Sequence, residues 1–190
     1  MNRSIQVGVR LLLLAATSMI ALLLATSPAG AASGGIDISG GGAVASPDSG
    51  SVTSGPAGKA RLLPNGDAVA PANAPAKIKR AIAAANRIDE TRYVWGGGHG
   101  SFEAKGYDCS GAVSYMLHGA GMLRTPMDSG TLAGWGQGGK GKWITVYANS
   151  GHTYAVVAGL RWDTSGGAGP RWHRDMASKS GYALRHPNGY

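Results

Sequence analysis

An α+β domain, two helices followed by an antiparallel sheet, is predicted for residues 75–190, and three observations carry the prediction. Ile78, Ile82 and Ala85 lie at the i, i+4, i+7 spacing of one helix face, and Val113, Met116 and Leu117 lie on the apolar face of another. From Trp143 to Asp163 the chain turns to β-branched and aromatic runs broken by Asn149-Ser150-Gly151 and Gly159. Helices first and strands afterwards, without alternation, segregate the two kinds of element.

Upstream of that domain the chain offers little to bury. Arg3 and Arg10 precede an apolar run from Leu11 to Ala25, and Ala29-Gly30-Ala31 follows as a small-x-small cleavage site, so residues 1–31 read as an export signal. The run includes Thr17 and Ser18 and is short of the ~20 residues a membrane span needs, which makes cleavage the expectation and an uncleaved anchor the alternative. No cysteine follows it closely, so anchoring through a lipidated N-terminal cysteine is excluded. Residues 32–74 are rich in Gly, Ala, Ser and Pro and are expected to form a flexible linker, since so little apolar surface cannot offset chain entropy. Ile36 and Ile38 could make a short strand there, with nothing nearby to pair it. The protein is expected to act outside the cytoplasmic membrane: secreted, periplasmic or wall-associated, with no stable membrane span after cleavage.

Within the domain, residues 76–88 form the first predicted helix, and Pro75 suits its first turn, where a missing N–H costs nothing. Lys77, Lys79 and Arg80 fall in its one basic cluster, expected on the solvated side. A Gly-rich loop at residues 96–100 leads to Asp108, and a second helix runs from Cys109 to about His118, ended by Gly119 and Gly121. Another Gly-rich loop is expected over residues 129–141. Strands follow at 143–147, 153–158 and 160–163. The segment after Asp163, with Gly166-Gly167-Ala168-Gly169-Pro170 and the ending Arg185-His186-Pro187, matches no core element and reads as an extension that covers a cleft.

The whole chain carries 18 basic and 10 acidic residues. Removing Arg3 and Arg10 with the signal leaves 16 − 10 = +6, which favours an anionic partner. The basic residues are scattered rather than gathered with aromatics, so an anionic cell envelope is the expected partner and nucleic acid is not. The 96–100 loop lacks the Gly-Lys-Ser/Thr ending of a phosphate loop, and no His/Cys/Asp spacing resembles a zinc site. Neither cofactor nor metal is expected.

Cys109 is the only cysteine. In an exported chain it cannot form an internal disulfide, which leaves a reactive thiol as the leading reading. Its place at a helix start supplies a physical reason, because unpaired N–H groups and the positive end of the dipole favour a thiolate. A base is still required, and five histidines are available. His118 follows Cys109 by nine residues, which on one helix is about 900° of rotation and about 13 Å of rise, so a continuous helix excludes it. His99 could approach from its loop, where solvation is the commoner state of a histidine. His173 and His186 have no clear element to fix them. His152 opens a predicted strand. If Ala158-Gly159 is a two-residue turn, Val157 pairs with Leu160 and Tyr154 with Asp163, so Asp163 becomes a diagonal neighbour of His152 on the same face. A slip of one residue would turn it away.

Tyr93-Val94-Trp95-Gly96-Gly97, then Asp108-Cys109-Ser110-Gly111-Ala112-Val113, then Gly151-His152 opening a strand, resemble the NlpC family of papain-like cysteine peptidases that act on bacterial cell walls. The resemblance spans residues 75–163. It implies a papain-like fold and hydrolysis of an amide in the stem peptide of peptidoglycan, with no cofactor. By position it implies Cys109 as nucleophile, His152 as general base, and Tyr93 as a hydroxyl near the developing oxyanion. Asp108 and Ser110 would help hold the peptide end of the substrate. The family's third polar residue is usually His, Asn or Gln; here Asp163 stands in its place, with His173 and His186 as alternatives. Two other readings remain: a non-catalytic wall-binding protein, and a transferase passing the acyl group of the same thioester to an amine.

Overall fold

A computed structural model of the chain describes residues 58–190. The expected export signal and residues 32–57 of the expected linker, Ile36 and Ile38 among them, lie outside the described residues.

The stretch 58–74 departs from the expected linker. Strands β1 (Arg61–Leu62) and β2 (Ala68–Val69) pair antiparallel in a small hairpin, and Ala68 and Ala74 are buried. Residues far along the chain fasten this hairpin to the domain. Asn86 accepts from the Ala68 amide (3.1 Å) and donates to its carbonyl (2.9 Å), Arg174 donates to the Leu62 carbonyl, and the Ala60 amide donates to Ala158. Composition alone underestimated this segment because its ordering comes from hydrogen bonds supplied by distant residues.

Helix α1 (Ala76–Ile88) follows Pro75 and buries Ile78, Ala81, Ile82, Ala84, Ala85 and Ile88, while Lys79 and Arg80 are exposed. Helix α2 (Cys109–Gly119) is capped by Asp108, whose carboxylate accepts from the Gly111 amide, the arrangement that satisfies a first-turn N–H. α1 packs against α2. A Cβ on Gly111 would stand 2.0 Å from the Gly97 carbonyl oxygen, so only glycine lets the Gly-rich loop lie on the first turn of α2.

The expected loop at 129–141 contains two short elements, α3 (Ser129–Leu132), capped by Asp128, and β3 (Gln137–Gly138). Strands β4 (Ile144–Ala148), β5 (Thr153–Val157) and β6 (Leu160–Asp163) form the expected meander. The β5–β6 turn is Ala158-Gly159, both at positive φ (46° and 89°), and it pairs Val157 with Leu160 and Val156 with Arg161. The predicted register is the one observed.

The extension after Asp163 is not a separate cover. Strands β7 (Arg171–His173) and β8 (Ala183–His186) complete a six-stranded antiparallel sheet of order β3-β8-β4-β5-β6-β7. α2 lies against β5 and β6, and the fully buried Trp162 donates from its indole to the Ala112 carbonyl (3.2 Å), fixing the start of α2 to the sheet. The architecture is α+β, as predicted.

Asn86 also accepts from the indole of Trp172 (2.8 Å), so one side chain joins α1, the hairpin and β7. Asn86→Ala strands a buried indole donor and two backbone groups, and leaving buried polar groups unpaired costs about 1–3 kcal/mol each. Urea denaturation of the variant is expected to show a loss of about 2–4 kcal/mol. A loss under about 0.5 kcal/mol would mean that water replaces all three bonds.

Candidate active site

Cys109 is the first residue of α2 and 9% exposed. It lies in a cleft of about 320 Å³ lined also by Trp95, His99, Asp108, Asp128 and Ser150. The Ser129 hydroxyl donates to the Ser150 carbonyl (3.3 Å), tying α3 to the β4–β5 loop beside the thiol.

His152 stands in that loop, just before β5. Its backbone amide donates to the Asn149 side chain (2.9 Å), which fixes the loop. Its Nε2 lies 2.9 Å from Oδ1 of Asp163. A ring nitrogen facing a carboxylate carries the hydrogen, so in the neutral imidazole Nδ1 is the acceptor, and Nδ1 is the nitrogen left for the hydrogen bond that His152 makes with Cys109. The imidazole pKa is raised to about 9, first by the bond to Asp163 and then by the bond to Cys109, against burial, which lowers it. Burial would raise the carboxyl of Asp163, but hydrogen bonds from His152 and from the Ser165 hydroxyl and amide hold it well below the ordinary carboxylate range.

Because the folded pKa of His152 lies above 6.5, its contribution to stability is complete below about pH 6.5 and is lost as pH rises through about 9. Urea midpoints measured from pH 6 to 9.5 are therefore expected to fall in the parent and to fall less in His152→Gln. Equal falls in the two proteins would place the pH dependence elsewhere.

Asp163 is 2% exposed and is gripped from its other side by Arg161, itself 5% exposed. Arg161 also donates to the carboxylate (2.9 Å) and carbonyl (3.0 Å) of Asp175. The expectation from sequence missed Arg161, although strand alternation places it two residues from Asp163 on the same face. His173 and His186, the alternatives for the third position, do not meet His152. His173 Nδ1 is 3.9 Å from Asp175, and His186 Nδ1 is 3.1 Å from the Pro187 carbonyl. Their strands carry them to other neighbours. His118, at the far end of the continuous α2, bonds the Leu123 carbonyl and stacks on Phe102.

Tyr93 is 39% exposed, and its phenol pKa is raised by burial first and then by the charges of Cys109 and Asp108. Asp108 and Ser110 are buried, and their polar atoms are engaged within the chain. Asp108 accepts from the amides of Gly96 and Gly111 and from the Ser110 hydroxyl, and His99 Nε2 lies 2.9 Å from Asp108 Oδ2 and 2.8 Å from Ser110 Oγ. The sequence left His99 open between an approach to the site and solvation; the structure places it against Asp108 and Ser110. Tyr182 was also missed. It comes from the segment after Asp163 and meets His152 edge-on at 6.5 Å between ring centres, while Tyr154 anchors the same segment through Ser178 (3.0 Å).

A thiol, an imidazole beside it and a buried carboxylate bonded to the imidazole are the kinds of group that acyl-transfer chemistry uses as nucleophile, base and orienter. Among the described residues no helix is long and apolar enough to cross a membrane.

No protein-family description and no curated protein matches this chain. Solved structures of similar fold do exist. The peptidoglycan hydrolase RipB of Mycobacterium tuberculosis is 22% identical, with a TM-score of 0.49 over 60% of this chain and 66% of its own, so this chain spans just under two thirds of that protein. The P60 domain of a Mycobacterium avium subspecies paratuberculosis antigen is 22% identical, with a TM-score of 0.46 over 57% of this chain and 93% of its own. RipD of M. tuberculosis, described as a non-catalytic NlpC/p60 domain protein adapted to peptidoglycan binding, is 19% identical, with a TM-score of 0.45 over 59% of this chain and 98% of its own.

Proposed function

We propose that this chain is an exported, papain-like cysteine peptidase that hydrolyses an amide bond of peptidoglycan stem peptides through a thioester. The observation that carries the reading is the set Cys109–His152–Asp163, with the thiol on the first turn of α2 and the base held by a buried carboxylate. His152 Nδ1 takes the thiol proton, and the Cys109 sulfur attacks the amide carbon. The oxyanion is met by first-turn N–H groups of α2, which the helix leaves without intrahelical partners, and by the Tyr93 hydroxyl. His152 returns the proton to the leaving amine. Water, deprotonated by the same imidazole, then hydrolyses the thioester.

Peptidoglycan is the proposed substrate because the motifs around Cys109 and His152 resemble the wall peptidases and because the exported chain carries net positive charge toward an anionic envelope. The test is mass spectrometry of synthetic stem peptides incubated with the protein. A single amide cleaved with addition of one water supports the reading and names the bond. A product carrying a new amine would favour transfer, and intact peptides in the presence of folded protein would favour the wall-binding reading.

A further inference from the structure

A second cavity, of about 310 Å³, lies at the other end of α2 from Cys109, and none of its lining residues borders the Cys109 cleft. Ala84 of α1 and Gly119 of α2 meet beside it: a Cβ on Gly119 would stand 2.3 Å from the Cβ of Ala84. Longer polar side chains make the walls. Arg87 and Glu103 are both exposed, and among the described residues neither side chain makes an ion pair or a hydrogen bond. Exposed charges alone would be an ordinary solvated surface. Tyr115 is different, because it is only 8% exposed and its hydroxyl has no hydrogen-bond partner among the described residues, whereas buried polar groups are as a rule bonded. The oxygen is not sealed in, as Nε2 of His173 is, so it opens to the cavity that the residue lines. His118 stacks on Phe102 and gives its Nδ1 hydrogen to the Leu123 carbonyl (3.0 Å), which leaves Nε2 of the neutral ring as an unused acceptor.

We infer that this cavity binds a small zwitterion, a free amino acid or dipeptide, with its carboxylate on Arg87 and the Tyr115 hydroxyl and its ammonium on Glu103 and His118. A guanidinium meets a carboxylate with two parallel N–H donors, and a carboxylate with an imidazole lone pair receives an ammonium. The ammonium end falls at the last turn of α2, which holds His118 and whose unpaired carbonyls favour a cation. Ligand sites begin at about 300 Å³, so a volume of about 310 Å³ suits a dipeptide rather than a longer peptide. The site requires no part of the chemistry proposed at Cys109.

The experiment is isothermal titration calorimetry of the full chain with alanyl-alanine, its N-acetyl form and its C-terminal amide, repeated on Cys109→Ala so that hydrolysis contributes no heat. Alanyl-alanine should bind at millimolar concentration or below, and each blocked form, lacking one charge, should bind about tenfold or more weakly. Arg87→Gln should abolish the difference between the free carboxylate and the amide while keeping that between the free and the acetylated amine, and Glu103→Gln should do the reverse. Both side chains are exposed, so both variants should keep the fold, which circular dichroism checks. Tyr115→Phe should weaken binding without unfolding the chain, since the hydroxyl that it removes leaves no partner stranded. No binding of alanyl-alanine overturns the inference. Binding that Arg87→Gln and Glu103→Gln leave unchanged also overturns it, because the peptide would then sit elsewhere, as in the Cys109 cleft. Neither result touches the peptidase reading, which stands or falls on cleavage of stem peptides.

Discussion

Cys109→Ala is expected to end stem-peptide hydrolysis, lowering its rate at least about 10⁴-fold, because no other group in the cleft can form the thioester. Asp108 and Ser110 are buried and bonded internally, and the other cleft carboxylate, Asp128, is occupied by the amide and hydroxyl of Thr131. The substitution removes one buried sulfur and leaves the Asp108 cap and the Trp162–Ala112 bond in place, so the fold should lose no more than about 1 kcal/mol. Circular dichroism and a urea curve would check that point beside the mass-spectrometric assay. The variant should still bind the uncleaved peptide. Turnover that survives the substitution would remove Cys109 from the chemistry. A biological effect that survives while turnover is lost would mean that the protein works by holding wall peptides.

Asp163→Asn should cost both activity and stability, and for one reason. Asp163 faces the His152 ring and the Ser165 amide on one oxygen and the Arg161 guanidinium and the Ser165 hydroxyl on the other. An amide has one acceptor oxygen for the claims of His152 and Arg161. Arg161 is buried and charged, so the oxygen should turn to it and the NH₂ to His152 Nε2. That arrangement makes Nε2 an acceptor and puts the ring hydrogen on Nδ1, the nitrogen that takes the Cys109 proton in the proposed mechanism. The wrong tautomer is expected to lower kcat/KM about 10²- to 10⁴-fold. His152 also loses the bond that chiefly raises its pKa, so its titration should move down from about 9. Breaking the buried pair should cost about 3 kcal/mol, the low end for such losses, because Asp175 still receives Arg161. A variant with parental kcat/KM and an unshifted pH profile would show that Asp163 does not orient the base. Arg161 beside Asp163 supplies the charge that compensates its buried carboxylate.

The elements that the sequence itself specified are those written in local periodicity and turn chemistry. The apolar stripe of Ile78, Ile82 and Ala85 set α1 from Ala76 to Ile88, and Asp108 before Cys109 set the start of α2. Ala158-Gly159 set the register of β5 and β6, and with it the meeting of His152 and Asp163. Each of these depends on residues within one element or across one tight turn, where spacing determines direction. Only the tertiary structure decided the rest. The hairpin at 61–69 is ordered by Asn86 and Arg174, and β7 and β8 are drawn from a Gly-rich tail by pairing with strands already in the sheet. Arg161 is buried because Asp163 and Asp175 receive its charge, and His99 enters the cleft because Gly97 and Gly111 let its loop lie against α2. A polar side chain is buried only when a partner is present to satisfy it, and partners distant in sequence leave no periodic trace in the chain that they complete.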